Sequence, residues 1–148
     1  MDDKIITDVK KLRINSKETT SKEVQDLNLI SRLIKANKTA WTNGAGLAAI
    51  QIGVPLRFAW YVYEGKEGTL LNPVIVERFG SEVGKEGCLS IPNKWFDVER
   101  AYAITYLTNG KKKRASGFLA RLVQHEIDHM DGILVIDKAR KESNADPK

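Results

Sequence analysis

The strongest constraint on this chain is the segment at residues 125–129, HEIDH, which contains its only two histidines. Residues four positions apart lie on one face of an α-helix, one turn from each other. Two imidazoles so placed can bind one cation, and Glu126 stands next to the first of them. A divalent metal lowers the pKa of water, and a nearby carboxylate takes the proton as the water attacks. The segment therefore predicts a metal-binding helix rather than two ordinary surface or core histidines.

A third ligand is expected upstream of this helix. Catalytic metal sites usually have three protein ligands and one open position. No histidine follows His129, and the only later glutamate, Glu142, lies in a polar tail. Cys88 is the single cysteine, within EGCLS at residues 86–90. A free cysteine is usually a small buried hydrophobe, but its thiolate is a strong ligand for iron or zinc. Because the two histidines lack a partner, ligation by Cys88 is the favoured interpretation.

The third unusual segment is GAGLAAIQ at residues 44–51. Its two glycines allow close backbone approach to a ligand, although the lysine of a phosphate-binding loop and a third glycine at nucleotide-binding spacing are missing. The amide of Gln51 could donate a hydrogen bond to a developing oxyanion. Taken by itself, the segment favours a tight turn between helix and strand in which Gln51 is solvated.

The remaining pattern predicts one domain over residues 1–148, with weakly structured ends at 1–19 and 138–148. A capping box from Thr20 to Glu23 and helical spacing of apolar residues predict an N-terminal helix over 21–38. Strands are predicted at 57–63 and at 70–76, the second with an irregularity at Pro73. A hairpin follows, with arms at 98–108 and 111–115 joined by Asn109-Gly110. The last predicted elements are a helix over 117–130 and an apolar strand or core segment at 133–136.

Charge and composition narrow the class of protein. One cysteine excludes an internal disulfide, and no apolar run suggests a signal peptide or a membrane span. We therefore expect a cytoplasmic protein that does not bind a membrane. We also expect it to be a monomer. The net charge of +5 and the basic run Lys111–Arg114 could favour a nucleic-acid or ribosomal surface, but a solvated hairpin arm is the favoured interpretation.

Together and in this order, the three segments resemble the peptide deformylase family, which shows a GxGLAAxQ loop, an EGCLS segment and a QHExDH helix. They stand at residues 44–51, 86–90 and 124–129 of this chain. The resemblance covers roughly residues 25–137. Smaller agreements are Asn72-Pro73, Ile91-Pro92, Val98-Glu99-Arg100 and Asp131-Gly132.

The resemblance implies a hydrolase that removes the N-formyl group from the formyl-methionine of nascent polypeptides, in an α+β fold with mixed or antiparallel sheets around the metal-bearing helix. It implies one divalent ion, ferrous iron first, with zinc, nickel and cobalt as alternatives. The implied metal ligands are Cys88, His125 and His129. Glu126 would act as general base and then general acid, and the Gln51 amide and the Leu89 N–H would stabilise the oxyanion.

Substrate contacts follow from the same resemblance. The backbone at Ala45 and Gly46 would pair with the peptide like an added strand, and Glu86, Phe118 and Leu122 are candidates for the pocket of the methionine side chain. The departures are Ile50 and Met130, which look conservative, and Trp95, which bears on pocket shape. The match is with short members of the family, which include phage-encoded ones, so bacterial and phage origins both stay open.

Two other hypotheses stay open at this point. One is a HEXXH metallopeptidase that cleaves internal peptide bonds and takes a different third ligand. The other is a catalytically inactive relative that serves as a binding module.

Overall fold

The computed structural model describes residues 3–37 and 44–143. Within these ranges the chain forms short helices and strands in an α+β arrangement, as predicted. The helices, in chain order, are α1 (Val9–Leu12), α2 (Ser21–Asp26), α3 (Leu29–Ala36), α4 (Gly117–Met130) and α5 (Val135–Lys138), with a 3₁₀ turn at Ala49–Ile52.

The strands of the described residues form three antiparallel sheets of three strands each. The first contains β1 (Gly44–Ala48), β2 (Phe58–Tyr63) and β3 (Lys66–Leu71), in that order. The second contains β4 (Val74–Phe79), β7 (Ala103–Thr108) and β8 (Lys111–Ser116), with β7 in the middle. The third contains β5 (Glu82–Cys88), β6 (Ile91–Arg100) and β9 (Ala139–Ser143), with β6 in the middle.

The helix α4 has an apolar face and a polar face, because its apolar and polar residues recur at different helical positions. Ala120, Val123, Ile127 and Met130, spaced three and four apart, are buried in the core cluster that also contains Ile104 of β7. Full burial of side chains the size of Val123, Ile127 and Met130 contributes about 1.5–3 kcal/mol each. This packing fixes the rotation of the helix, so that the face with its two histidines is turned away from this cluster.

The predicted helix over 21–38 is wrong in one respect, because the structure has two helices there. The Thr20 half of the capping box is present, with the hydroxyl of Thr20 accepting from the N–H of Glu23 at 3.1 Å, while the carboxylate of Glu23 accepts from the hydroxyl of Thr19 at 2.6 Å. The break comes at Asn28, whose φ of 56° is left-handed. Asparagine tolerates this conformation better than most residues, and the turn directs Leu29 and Leu33 of α3 into the core. Position 38 lies outside the described residues.

Two predicted strands are each divided between sheets. The segment 70–76 is split at Asn72-Pro73, where β3 of the first sheet ends and β4 of the second begins. Asn72 has a φ of 47° and its side-chain amide nitrogen donates to the carbonyl of Thr19 at 2.8 Å. The arm 98–108 is likewise split between β6 and β7. The hairpin turn is confirmed, with Thr108 opposite Lys111 and positive φ at both residues between them.

The ends are more ordered than predicted. Leu12 is fully buried, and the N–H of Ile6 donates to the carbonyl of Gln51 at 2.7 Å. Residues 139–143 form β9 on the third sheet, whereas residues 1–2 and 144–148 lie outside the described part. Single buried residues and main-chain hydrogen bonds leave no periodic pattern, which is why the sequence did not show them.

The segment 133–136 is a core segment, in which Leu134 and Val135 are buried, and it leads into the single turn α5. No helix among the described residues is long and apolar enough to cross a membrane.

Candidate metal centre

The end of β5 and one face of α4 bring three possible metal ligands together. The sulfur of Cys88 and one ring nitrogen each of His125 and His129 all lie within 4.8 Å of one another. The Cys88 Sγ is 3.4 Å from His129 Nε2. One sulfur with two imidazole nitrogens is a donor set that suits zinc or ferrous iron, so these residues fit a divalent ion.

The carboxylate of Glu86 orients the first histidine. Its Oε1 lies 2.8 Å from His125 Nδ1, and because an ionised carboxylate can only accept, this ring nitrogen is the one with the hydrogen. Nε2 is then the nitrogen that would bind a cation, with release of any hydrogen it carries, a common arrangement around metal-binding histidines.

Two buried arginines hold Glu86 in place. Arg100 donates to both carboxylate oxygens, at 2.8 and 2.9 Å, and Arg121 donates to Oε2 at 2.6 Å. Burial alone would raise the pKa of Glu86, but Arg100 and His125 outweigh it and hold that pKa far below its usual range. The sequence motifs did not identify these arginines as part of the site. The signal available was Arg121, a charged residue one turn before His125 on a helix whose neighbours are apolar.

The pKa values of Cys88 and His125 are also shifted by their neighbours. Burial would raise the pKa of the Cys88 thiol, but hydrogen bonds and charges from His125 and His129 hold it well below its usual range. Burial would lower the pKa of His125, but Cys88 and Glu86 hold it well above its usual value. Cys88 is therefore poised as the thiolate, which is the form that binds metals.

Glu126 is buried next to these ligands, with 2% of its surface exposed. Among the described residues its Oε1 has no hydrogen-bond partner, an uncommon state for a buried oxygen that favours a polar ligand at this point. Burial raises the pKa of Glu126 and outweighs the opposing effect of the two histidines. Such a carboxylate can take up a proton and release it again.

Gly46 of β1 makes room for this carboxylate. A Cβ on Gly46 would lie 2.8 Å from Glu126 Oε2 and 3.3 Å from the carbonyl oxygen of Trp60. The glycine is therefore needed for close packing between β1 and α4, which explains one of the two glycines noted in the sequence.

Gln51 points into the site and is not solvated. It lies in the 3₁₀ turn and is 2% exposed. Its Oε1 accepts from the Ala48 N–H at 3.0 Å, which fixes the orientation of the amide. Its Nε2 then faces the Ser90 hydroxyl at 3.1 Å and the Cys88 sulfur at 3.6 Å. Leu89, between those two residues, is half-buried.

A cavity of about 750 Å³ opens beside these groups. It is lined by the predicted substrate residues Ala45, Gly46, Glu86, Phe118 and Leu122, together with Leu89 and Trp95. Its wall is partly an unpaired strand, because among the described residues β1 pairs with β2 alone. The arrangement offers a metal site, a proton-accepting carboxylate, hydrogen-bond donors and a backbone edge in one cleft.

Comparison with known proteins gives the family. The model of the family described as polypeptide deformylase matches residues 3–145. The peptide deformylase of Dictyoglomus thermophilum is 38% identical over 149 residues, which cover 94% of this chain and 96% of that protein. The structure of peptide deformylase from Thermotoga maritima has a TM-score of 0.85 at 30% identity, covering 95% of this chain and 99% of that chain. That of a probable peptide deformylase from synechococcus phage S-SSM7 has a TM-score of 0.79 at 31% identity, covering 92% and 99%.

Proposed function

Because this chain belongs to the peptide deformylase family, we propose which of its residues perform the reaction of that family. The protein is a metal-dependent hydrolase that removes the formyl group from the N-terminal methionine of nascent peptides. The observation on which the assignment of residues rests is the convergence of the Cys88 sulfur and two imidazoles within 4.8 Å, beside a buried glutamate.

Cys88, His125 and His129 would hold the ion, which when bound supplies Lewis-acid chemistry by polarising the formyl carbonyl and lowering the pKa of water. Glu126 accepts the proton of the attacking water at its unpartnered oxygen. The same carboxylate then delivers that proton to the nitrogen of the leaving methionine. Its raised pKa suits both transfers, since a group that must take and give a proton works best when its pKa is near the pH of the medium.

Two donors would stabilise the negative charge that develops on the formyl oxygen. The Gln51 Nε2 is held on the cavity side by the bond from the Ala48 N–H to its amide oxygen. The N–H of Leu89 is the second donor. Removal of one such donor in other hydrolases typically costs about 10²–10³-fold in kcat.

The substrate would enter as an extended strand on the free edge of β1, with main-chain hydrogen bonds to Ala45 and Gly46. The methionine side chain would lie in the cavity against Phe118 and Leu122, with Glu86 behind them. Glu86 is bonded at both carboxylate oxygens to Arg100, so its contribution to that pocket is as part of a fixed wall.

The test is an anaerobic assay of formyl-Met peptide hydrolysis with simultaneous metal analysis. We expect turnover with Fe(II), Ni(II) or Co(II), and loss of turnover with retained metal in Glu126→Gln. Glu99→Gln, on the exposed side of β6, is the matched control and should behave as wild type. Turnover that survives in Glu126→Gln would exclude Glu126 as the base.

The identity of the ion and its third ligand are tested in the same assay. We propose ferrous iron, because a thiolate with two imidazoles accepts iron as well as zinc. If the ion is iron, the enzyme should lose activity in air. Cys88→Ser should lose both metal and activity. An unchanged metal content in that variant would favour a HEXXH peptidase with another third ligand, and a folded chain inactive with every metal would favour a binding module.

The proposal also covers the cellular compartment, the oligomeric state and the contact with the ribosome. We propose a monomer in the cytoplasm that meets formylated chains near the ribosome, supported by the exposed cations Lys111, Lys112 and Lys113. Salt-sensitive co-sedimentation with ribosomes and the sedimentation coefficient of the free protein are the measurements. Absence of co-sedimentation at low salt would remove the ribosome from the proposal.

A further inference from the structure

A second cavity, of about 510 Å³, lies where β8 leads into α4. One part of its wall is apolar and the other is polar and cationic. The residues that define it are Tyr63, Phe79, Leu119, Thr105, Arg114 and Ser116. No acidic side chain of the described residues lines it.

The polar part of this cavity has unused hydrogen-bonding capacity. Arg114 is exposed and forms no ion pair with any residue in the described ranges. Thr105, directly opposite Arg114 in the β7–β8 register, is fully buried, and its hydroxyl has no partner in the same ranges. The backbone of Glu77 lies two strands from that of Arg114, about 10 Å away, and Glu77 does not line the cavity. An apolar wall beside an unpaired guanidinium favours a carboxylate on a short carbon chain.

An aromatic pair separates this cavity from the catalytic cleft. Tyr63 of the second cavity stacks on Phe118 of the first, with ring centroids 5.8 Å apart. The strand β1 runs from Gly46, beside Glu126, to Gly44, which pairs with Tyr63. A peptide added to the free edge of β1 therefore leads from the catalytic glutamate toward the aromatic pair.

The length of the substrate path from the metal centre to the aromatic pair can be measured along helix α4. Phe118 and His125 are seven residues apart on α4, which corresponds to about 10 Å along the helix axis. An extended chain covers that distance in about three residues. Side chains from the third to the fifth residue of a substrate, counted from the methionine, are therefore the ones within reach of Arg114.

We propose that the second cavity is an exosite that binds an acidic side chain at the third to fifth residue of the formylated chain, through Arg114. This inference rests on the proposed function, since it takes the substrate to lie along β1. It assigns the enzyme a sequence preference well beyond the methionine.

The test uses the nickel-loaded enzyme and formyl-Met pentapeptide amides in which Glu or Gln occupies the third, fourth or fifth position. The amide removes the terminal carboxylate, and a parallel set with a free C-terminus distinguishes the two sources of negative charge. We expect kcat/KM to favour Glu over Gln about two- to five-fold at one position, the size of an ion pair at an open surface. The effect should lie in KM and shrink at high salt.

Two variants locate the preference. Arg114→Gln should bring the Glu/Gln ratio to about one while leaving the Gln peptides unchanged. Lys113→Gln removes the same charge from the neighbouring position of β8, which does not line the cavity, and should keep the ratio. Circular dichroism checks that both variants fold. Affinity of the deformylated Glu and Gln products, measured by calorimetry on the same three proteins, gives a second readout that needs no turnover.

Equal kcat/KM for Glu and Gln at all three positions would overturn the exosite and leave deformylation standing. So would an equal loss in Lys113→Gln, which would indicate long-range charge, or a preference confined to peptides with a free C-terminus. If no formyl peptide is hydrolysed, the proposed function fails separately, and product affinities that do not depend on Arg114 would then overturn the exosite.

Discussion

At the scale of single residues, the hydrogen at the α-carbon of Gly46 faces the carboxylate of Glu126. A methyl group at this position would lie 2.8 Å from Glu126 Oε2, so Gly46→Ala should displace this carboxylate. We expect kcat to fall at least about tenfold and the free energy of unfolding to fall by about 1–3 kcal/mol, as for other overpacked sites. Steady-state kinetics and urea unfolding measure the two effects.

A shorter side chain at position 126 supplies the control. In Gly46→Ala combined with Glu126→Ala, the new methyl group no longer meets a carboxylate. The double variant should therefore be more stable than the sum of the two single changes indicates, although it stays inactive. Strict additivity would show that the two residues do not press on each other.

A second prediction at this scale concerns Glu86, because its carboxylate contacts both His125 of the proposed metal centre and two buried arginines. Glu86→Gln keeps the shape but leaves Arg100 and Arg121 without their shared anion. Loss of one partner of a buried ion pair costs about 3–5 kcal/mol, and loss of a carboxylate behind a metal-binding histidine lowers metal affinity about 10–100-fold. Urea unfolding and metal titration are the measurements.

The matched change for Glu86 is Glu99→Gln on β6. Glu99 is half-exposed and lies 4.0 Å from Arg140, so its replacement should alter stability by no more than about 0.5 kcal/mol. A similar loss in both variants would mean that the buried network contributes nothing specific.

At the scale of the elements, the junction between α2 and α3 depends on Asn28. Its φ of 56° costs an alanine about 1–2 kcal/mol but costs a glycine little. Asn28→Ala should therefore lower the free energy of unfolding by about 1 kcal/mol, whereas Asn28→Gly should stay within about 0.5 kcal/mol of wild type. An alanine variant as stable as wild type would show that the two helices merge without penalty.

This junction also shows what sequence patterns can and cannot predict. The predicted stripe of Leu27, Ile30 and Ile34 has helical spacing, so periodicity predicts one helix. In the structure Leu27 and Ile30 are exposed, and it is Leu29 and Leu33 of the second helix that are buried. The helix α4 was predicted with its bounds, because its pattern is long and local. The division of 70–76 and 98–108 between sheets depends on which strand pairs with which, and no local pattern records that.

The residues of the candidate site also fall into those that the sequence predicted and those that it did not. Scarcity made Cys88 and the histidines predictable, since few other side chains could bind the same ion. The ion pairs of Arg100 and Arg121 with Glu86 were missed because their partners are 14 and 35 positions distant. The burial of Gln51 was not predicted for a similar reason, because its amide nitrogen faces Cys88 and Ser90, which are 37 and 39 positions away.

At the scale of the whole molecule, Arg13 and Asp137 join the two ends of the described chain. Arg13 donates to both Asp137 oxygens, at 2.8 and 2.9 Å, and this bond holds the pKa of Asp137 below its ordinary value. The pair therefore stabilises the fold while Asp137 is ionised. Its contribution is complete above pH about 4 and is lost as the pH falls through the lower value of the folded state.

Asp137→Asn should accordingly lower Tm at neutral pH by about 1–3 °C, as expected for a surface pair. The difference from wild type should shrink toward zero in strong acid. Thermal unfolding followed by circular dichroism at several pH values is the measurement. Asp26→Asn, in an exposed pair with Lys22, should change Tm less. A Tm difference between Asp137→Asn and wild type that grows in acid would contradict a stabilising role for the ionised pair.

One edge of β1 has no partner strand among residues 3–37 and 44–143, and if a substrate adds to it as proposed, there is a consequence for the timing of the reaction in a cell. A partner strand can join that edge only if its own main-chain groups are still free, so a helix or a finished hairpin at the start of a protein cannot be accepted. Deformylation is then in kinetic competition with the folding of its own substrate. On this proposal, a methionine that becomes packed inside a completed domain would keep its formyl group, and the enzyme would have only the interval between the emergence of a chain and its folding.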